Sequence, residues 1–309
     1  MRIVSLLPSA TEIVFALGLG DELVGRTHEC DYPPEAEGVP ILTADIDAEP
    51  GASNRRIHDR IQARLHGGSA IYRLDAEALA AAEPDLVLTQ ELCEVCAVGY
   101  RQVTDAVRRI DGEIAVVSLE PTSVEGVLNT INTVGAMADA EDEAVGLVEI
   151  LRERLGAIEN RVLERRLAGA PPRRVVCLEW LDPPFASGHW VPEQVRRAGG
   201  WELLGREGLR STETTWEAVR DVDPEQLLLM PCGFDAPGAR AAWARASKPA
   251  WIEDLRAIRD GEVFALDGSA YFSRPGPRVI DGIGLLAEVM DPDGFLDETP
   301  PGSWIPLAV

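Results

Sequence analysis

The stretch DAEDEAVGLVEILRERLGAIENRVLERRLA, residues 139–168, predicts one long amphipathic helix. Acidic residues crowd its start and arginines its end, and both groups complement the helix dipole. Gly169, Pro171 and Pro172 end the helical pattern. A helix of this length spans roughly 45 Å, which suits a rod between two domains better than a crossover inside one. Apolar residues at intervals of four and three form one stripe along it: Ala144, Val148, Leu151, Leu155, Ile158 and Val162.

Short apolar runs alternate with amphipathic stretches on both sides of this helix. This alternation predicts an α/β fold, with two lobes of parallel or mixed sheet flanked by helices and bridged by the long helix. The segments 78–93 (ALAAAEPDLVLTQELC) and 218–233 (AVRDVDPEQLLLMPCG) echo each other, which favours two similar lobes. We place the N-terminal lobe at residues 1–138, the linking helix at 139–170 and the C-terminal lobe at 171–309. Strands are predicted at residues 3–7, 22–26, 86–89, 114–119, 174–180, 227–230 and 263–266.

Composition excludes some classes of function. The 52 acidic residues outnumber the 29 basic ones, and a surface with a formal charge of −23 repels nucleic acid and anionic membranes. Only Lys248 among the basic residues is a lysine, which either a GC-rich genome or a salt-rich cytoplasm would explain. A secretory signal needs a basic start, an unbroken apolar core and a small-residue cleavage site, and Pro8, Glu12 and the early predicted strand argue against one. We therefore expect a cytoplasmic protein as the sequence is written, or an extracytoplasmic one whose leader was removed.

Polar and aromatic residues fall on the segments that follow the predicted strands. Ligands of open parallel sheets bind beyond the carboxyl ends of the strands. In the first lobe these segments are 8–11, 27–32, 90–96 and 120–121, and in the second lobe 180, 182–190, 231–234 and 268–277. Each second-lobe aromatic residue alone would also fit the cap of a core. Together six of them predict a wide, flat, partly apolar ligand: Trp180, Phe185, Trp190, Phe234, Tyr271 and Phe272.

Several of these segments resemble the cobalamin- and siderophore-binding proteins of ABC importers. RIVSLLPSATEIVFALGLGDELVG (2–25) is similar to their opening, and EPDLVLTQ (83–90) is similar to their first-lobe strand. LEWLDPPFASGHWVPEQVRRAGG (178–200) and DGSAYFSRPGPRVIDGIGLLAE (267–288) resemble the cobalamin-binding branch in particular. The likeness covers nearly the whole chain. It implies a two-lobed clamp that moves little and binds a corrinoid, haem or ferric chelate.

From this resemblance we expect cobalamin or a related corrinoid as the ligand, an ABC permease as a partner, a monomer, and no enzymatic activity. His189 would either contact the ligand, as an axial ligand to its metal for example, or hydrogen-bond within its own loop. Arg274 would pair with a ligand amide or carboxylate, or with a neighbouring glutamate. Carried over by position, the predicted ligand-binding residues are Ser9, Thr11, His28, Glu29, Tyr32, Gln90, Trp180, Phe185, His189, Trp190, Phe234, Tyr271, Phe272 and Arg274.

Two cysteine motifs depart from the family's pattern. His28-Glu29-Cys30 and Cys93-x-x-Cys96 follow strands that we predict to be neighbours, so Cys30, Cys93 and Cys96 would converge beside the ligand. Such a cluster suits zinc or iron–sulfur, a C-x-x-C also serves as a redox pair, and inert buried cysteines are the third possibility. The alternative function is a cytoplasmic metal- or tetrapyrrole-handling enzyme that uses this cluster. The sequence holds neither a G-x-x-x-x-G-K loop nor a G-x-S-x-G elbow to support catalysis.

Overall fold

The computed structural model describes residues 1–46, 49, 51–66, 71–90, 100–108, 113–295 and 299–307. Its strands are short, apart from one of nine residues in the C-terminal half. The predicted strands are all present, within a few residues of the expected bounds. The strands are β1 Ile3–Ser5, β2 Leu23–Arg26, β3 Thr43–Asp45, β4 Tyr72–Leu74, β5 Leu86–Thr89, β6 Ala115–Ser118, β7 Arg173–Leu181, β8 Pro184–Ala186, β9 Gly200–Glu202, β10 Thr212–Glu213, β11 Gln226–Leu229, β12 Val263–Leu266 and β13 Trp304–Pro306.

Helices fill most of the connections between these strands. The helices are α1 Pro8–Ala16, α2 Asn54–His66, α3 Ala76–Ala81, α4 Tyr100–Val107, α5 Val124–Met137, α6 Glu141–Leu167, α7 Val191–Arg197, α8 Trp216–Val222, α9 Ala236–Arg245, α10 Arg256–Arg259, α11 Gly268–Tyr271 and α12 Val279–Met290. No helix in the described ranges is both long enough and apolar enough to cross a membrane.

The long helix predicted from the apolar stripe is α6, with 27 residues. Most of the stripe is buried, from Ala144 at 1% exposure to Leu155 at 7%. The helix ends at Leu167, and the chain turns away at Gly169, whose φ of +96° lies in the left-handed region that glycine tolerates. The Ala170 N–H then donates to the Arg165 carbonyl over 3.0 Å, so the cap satisfies a carbonyl that the helix leaves free.

The first sheet is parallel throughout, in the order β2–β1–β5–β6. Val4 lies opposite Val87 in the register of β1 and β5. Both pack with Leu79 and Val103 in one apolar core. The pair β3–β4 is a separate antiparallel ribbon. Because the four main strands are parallel, their carboxyl ends lie along one edge of the sheet.

The second sheet is mixed, in the order β10–β8–β7–β11–β12–β13. Its centre, β7–β11–β12, is parallel, whereas β8, β10 and β13 are antiparallel to their neighbours. Strand β9 pairs with the first residues of β7. The core beneath this sheet contains Leu178, Leu227 and Trp216. The predicted α/β class is confirmed, while the antiparallel strands at the sheet edges were not predicted.

Contacts divide the chain into two compact units. The first unit comprises Met1–Gly51, Asp59–Pro121 and Glu125–Ile150, and the second comprises Ala52–His58, Thr122–Val124 and Leu151–Val309. Helices α2 and α6 each contribute residues to both units. The start of α2 thus belongs with the second unit, although its neighbours in sequence belong with the first.

Candidate functional site

The polar strand ends of the first unit are arranged by the order β2–β1–β5. Strand β1 separates the strand that precedes His28 from the strand that precedes Cys93. Our prediction that these two strands are neighbours is therefore wrong. Strands in a sheet are about 4.8 Å apart, so β2 and β5 are separated by about 10 Å. The apolar pattern of each strand predicts a strand but carries no information about its lateral position.

The predicted metal cluster is described only at Cys30, because Cys93 and Cys96 lie outside the described residues. Cys30 is 3% exposed, and its Sγ lies 2.9 Å from Thr11 Oγ1. In the ranges covered by the structure, no group of three or more His, Cys, Asp or Glu side chains is placed to hold a metal ion. Metal binding by the three cysteines stays a prediction.

A chain of hydroxyl groups determines which atom donates the proton in the hydrogen bond between Thr11 and Cys30. Ser5 Oγ donates to the Leu7 carbonyl over 2.9 Å, and Thr11 Oγ1 donates to Ser5 Oγ over 2.9 Å. Each hydroxyl has one proton, so the Cys30 thiol is left to donate to Thr11 Oγ1. The arrangement therefore stabilises a thiol, whereas a metal ligand would be a thiolate.

His28 is fixed by the side chain of Thr43 on β3. Thr43 Oγ1 accepts from the His28 backbone N–H over 3.0 Å and lies 2.7 Å from His28 Nδ1. Thr27 Oγ1 is 2.8 Å from the same oxygen. His28 Nε2 has no hydrogen-bond partner among the described residues but lies 3.5 Å from Glu29 Oε1, an electrostatic contact. The ring of Tyr72 lies beside the imidazole, with centroids 5.4 Å apart.

Arg26, at the end of β2, organises the loop that carries these residues. It is 6% exposed, and its guanidinium donates to the carbonyls of Cys30 over 2.8 Å, Val39 over 3.1 Å and Thr27 over 3.3 Å. A buried cation is tolerated here because its donors are matched to carbonyl oxygens. The sequence analysis did not single out Arg26, since its partners are spread over 13 residues, from Thr27 to Val39, of the connection between β2 and β3.

The other predicted residues of the first unit differ in accessibility. Ser9 and Thr11 are buried in the first turn of α1, so the segment 8–11, which we expected to be a ligand-facing loop, is helical. Gln90 is also buried. Glu29 and Tyr32 are exposed.

Four rings form a continuous row in the second unit. Trp180 on β7 lies directly opposite Phe185 on β8, so their side chains share one face of the sheet. The Phe234 ring meets Trp180 edge-on at 6.0 Å, and the His58 ring of α2 lies 5.8 Å from Phe185. All four side chains are half-buried. We call His58, Phe185, Trp180 and Phe234 the ring row.

Trp180 also has an unpaired polar atom. Its Nε1 is shielded from water and has no hydrogen-bond partner among the described residues. A buried donor without a partner costs about 1–3 kcal/mol. A hydrogen-bond acceptor on a bound ligand would relieve that cost.

Trp190, Tyr271 and Phe272 are placed differently from the ring row. They are between 2% and 7% exposed, which is typical of core residues. The Trp190 Nε1–H donates to the Phe272 carbonyl over 3.0 Å, and the Tyr271 hydroxyl lies 3.2 Å from Ser303 Oγ. Their polar atoms are thus satisfied within the protein. Ligand contact by these three residues stays a prediction.

His189 has a strained backbone and an unpaired ring nitrogen. Its φ of +51° is unusual for a residue other than glycine, and its N–H donates to the Leu209 carbonyl over 2.6 Å. Its Nε2 has no partner in the described part of the chain. Burial, followed by the nearby charge of Arg210, lowers the pKa of His189, so the imidazole is neutral. Arg274 is half-buried between α11 and α12.

The start of α2 is attached to the loop that follows β7. Arg55 Nε and Nη2 donate to Asp182 Oδ1 over 3.0 and 2.7 Å, and Asp182 Oδ2 accepts from the Ser247 N–H over 3.1 Å. This pairing holds His58, one helical turn further on, against Phe185. The sequence analysis missed His58. Its partner is 127 residues away, the same separation as between Arg55 and Asp182, and no local pattern signals such a contact.

Known proteins are similar to this chain along most of its length. A family model described as periplasmic binding protein matches residues 3–270. An uncharacterized ABC transporter substrate-binding lipoprotein of Bacillus subtilis is 25% identical over 300 residues, covering 95% of this chain and 81% of the relative. A vitamin B12-binding protein of Vibrio cholerae is 25% identical over 296 residues, covering 91% of this chain and 86% of the relative. The structure of a periplasmic heme binding protein from Pseudomonas aeruginosa matches with a TM-score of 0.70 at 21% identity, covering 94% of this chain and 92% of that chain.

Proposed function

The chain belongs to the periplasmic binding protein family, and on that premise we propose that it binds cobalamin or a related corrinoid. The resemblance found in the sequence is confirmed at the level of the family. Its members are substrate-binding proteins, so the protein is a binding protein and not an enzyme. The alternative of a metal- or tetrapyrrole-handling enzyme that uses Cys30, Cys93 and Cys96 has no support.

The ring row, with its unpaired indole N–H, is the observation that carries the proposal. Half-buried rings at the carboxyl end of a sheet offer apolar area to a ligand that is itself broad and flat. Each ring that a ligand covers contributes about 1–3 kcal/mol to binding. The Trp180 Nε1–H adds a fixed point of recognition for an oxygen at the edge of such a ligand.

A corrinoid is preferred over other flat ligands because the relatives named above include a vitamin B12-binding protein that aligns over most of its length. The heme-binding neighbour supports the same fold at lower identity. Haem and ferric chelates are therefore the competing ligands. His28, Glu29, Tyr32 and Arg274 remain predicted ligand contacts.

Delivery to an ABC permease from outside the cytoplasm completes the proposal. The Bacillus subtilis relative is named as a substrate-binding lipoprotein of an ABC transporter, which supports both the partner and the location. We expect a monomer, as the resemblance to the binding proteins of ABC importers implies.

Calorimetric titration of the purified protein with cyanocobalamin tests this function. We expect saturable binding near one-to-one, and weaker binding of hemin and of a ferric hydroxamate in parallel titrations. Calorimetry avoids the absorbance of cobalamin, which overlaps tryptophan emission. Saturable binding of hemin or the hydroxamate, with none of cyanocobalamin, would reassign the ligand.

A further inference from the structure

The first turn of α2 carries a polar group that the fold leaves unsatisfied. Asn54, the first residue of the helix, is 4% exposed. Neither its Oδ1 nor its Nδ2 has a hydrogen-bond partner among the described residues. In a buried amide of this kind the acceptor oxygen and the two N–H donors all lack partners, and each missing bond destabilises the folded protein.

Asn54 lies on the same side of α2 as His58. Residues four apart in a helix are neighbours on one face, with Cβ atoms about 5–6 Å apart. His58 is the end of the ring row and contacts Phe185. The unpaired amide is therefore adjacent to the surface that we propose for the ligand.

The position of this turn is fixed by independent contacts. Arg55 makes two hydrogen bonds to one oxygen of Asp182, and the other oxygen is held by the Ser247 N–H. The Asp182 side chain is 9% exposed, so this ion pair is shielded on one side. Asn54 and His58 are thus held in place before a ligand arrives, which reduces the entropy lost on binding.

We propose that Asn54 and His58 bind the ligand, with His58 packing on its ring face and the Asn54 amide pairing with a carboxamide on its rim. This inference rests on the proposed function. A carboxamide supplies both a donor and an acceptor, so it satisfies Asn54 Oδ1 and Nδ2 together. A carboxylate supplies acceptors alone and would leave Oδ1 unpaired. The first turn of α2 therefore selects ligands whose rim carries amides over ligands whose rim carries carboxylates.

A matched pair of corrinoids tests the preference. Dicyanocobinamide carries carboxamides around the corrin ring, and dicyanocobyrinic acid carries carboxylates at the corresponding positions. Titrations belong in about 0.5 M salt, where the Debye length is only a few ångströms and the net charge of −23 repels the acid less. We expect the wild type to bind the amide form at least about tenfold more tightly, as expected for loss of a well-made buried hydrogen bond.

The variants Asn54→Leu and His58→Ala separate the two contributions. Asn54→Leu should weaken binding of dicyanocobinamide about threefold to tenfold, with less than about a twofold change for dicyanocobyrinic acid. His58→Ala should weaken both ligands alike, because it removes ring contact. Arg56→Ala, an exposed neighbour on the same helix, is the control and should change neither.

The thermal stability of the ligand-free protein distinguishes loss of a ligand contact from misfolding of the variant. Leucine has the branching and the number of side-chain heavy atoms of asparagine but no polar side-chain atoms, so Asn54→Leu should raise the midpoint of unfolding by about 2 °C. A variant that binds less because it is misfolded would show a lower midpoint.

The possible results are distinguishable. Unchanged binding of cobinamide by Asn54→Leu, with the wild type still binding it, would overturn the inference alone; a buried water would then satisfy the amide. A lower midpoint for Asn54→Leu would overturn it too, since Asn54 would then be a structural residue. A wild type that binds no corrinoid would overturn the proposed function and this inference with it.

Discussion

The polar strand ends of the first unit and the ring row of the second unit differ in how completely their own hydrogen bonds are made. In the first unit, Arg26 and Thr43 bind the loop that carries His28. In the second unit, Trp180 Nε1 and both polar atoms of Asn54 have no partner in the described ranges. A satisfied network stabilises a loop, whereas unpaired donors and acceptors beside half-buried rings are prepared for a ligand. On our proposal the second region supplies most of the ligand recognition and the first is mainly structural, although His28 Nε2 also has no hydrogen-bond partner among the described residues.

Replacing Arg26 tests the structural side of this comparison most strongly. Arg26→Met keeps much of the buried volume but removes four bonds to loop carbonyls, those of Thr27, Cys30, Glu37 and Val39. We expect the free energy of unfolding to fall by about 3 kcal/mol, measured by urea denaturation. Arg2→Met, at an exposed residue, should cost much less. Equal losses in the two variants would show that the Arg26 network contributes little.

Removing the central ring tests the recognition side. Trp180→Ala should weaken cyanocobalamin binding by about 2 kcal/mol, roughly thirtyfold in Kd, because the ring and its N–H are both lost. Trp201 lies outside the ring row and is 57% exposed, so Trp201→Ala is the matched control and should change Kd less than twofold. If both variants bind equally well, the ring row is not the ligand surface.

The second unit also contains a buried carboxyl group that is satisfied, Glu202. Burial raises the pKa of Glu202 to about 7. Hydrogen bonds from three backbone N–H groups, those of Cys177, Leu204 and Gly205, act in the opposite direction and lower this pKa. Between pH 4.5 and 7 the folded protein therefore binds more protons than the unfolded chain.

The stability from this group is full below pH 4.5 and is lost as the pH rises through about 7. We expect its contribution to the free energy of unfolding to fall by about 3 kcal/mol over that range. Glu202→Gln cannot ionise, so comparison with this variant isolates the contribution of Glu202. The difference in unfolding free energy between wild type and variant should change with pH by the amount given above. A difference that is constant from pH 4.5 to 7.5 would contradict the raised pKa.

The smallest expected effect comes from comparing two tryptophans, one whose indole N–H is paired and one whose indole N–H is not. Trp190 donates to the Phe272 carbonyl, whereas Trp180 donates to nothing in the described part of the chain. Trp190→Phe should lower the free energy of unfolding by about 1 kcal/mol, because it leaves a buried carbonyl unpaired. Trp180→Phe should leave stability unchanged or slightly higher in the free protein, as chemical denaturation would show. The opposite order would mean that Trp180 is the structural residue.

Local patterns were enough to predict the elements of this fold. The stripe of α6 and the apolar run of β5 depend on residues within a few positions of one another, so periodicity reveals them. The segment at Pro184 was placed in the connection that follows β7 and was not predicted as a strand. Proline lacks a backbone donor and is tolerated in β8 because it is the first residue of that strand.

Long-range placement explains the errors at the candidate site. We predicted that Trp180, Phe185 and Phe234 lie near one another because each follows the end of a strand. The same reasoning grouped the buried Trp190 with them, since the sequence does not say which rings point into the core. His58 was missed because it meets Phe185 across 127 residues, the separation of the anchoring pair on the same helix turn. The lateral order of β1, β2 and β5 was equally hidden, because it depends on packing between distant segments.

A crystal structure of the protein grown with cyanocobalamin tests the central claim most directly. We predict that the corrin ring lies within about 4 Å of Trp180, Phe185 and His58. An oxygen of the ligand should lie about 2.9 Å from Trp180 Nε1, so that the indole is no longer unpaired. A corrin ring bound elsewhere, with the ring row uncovered and Trp180 Nε1 still without a partner, would contradict the account.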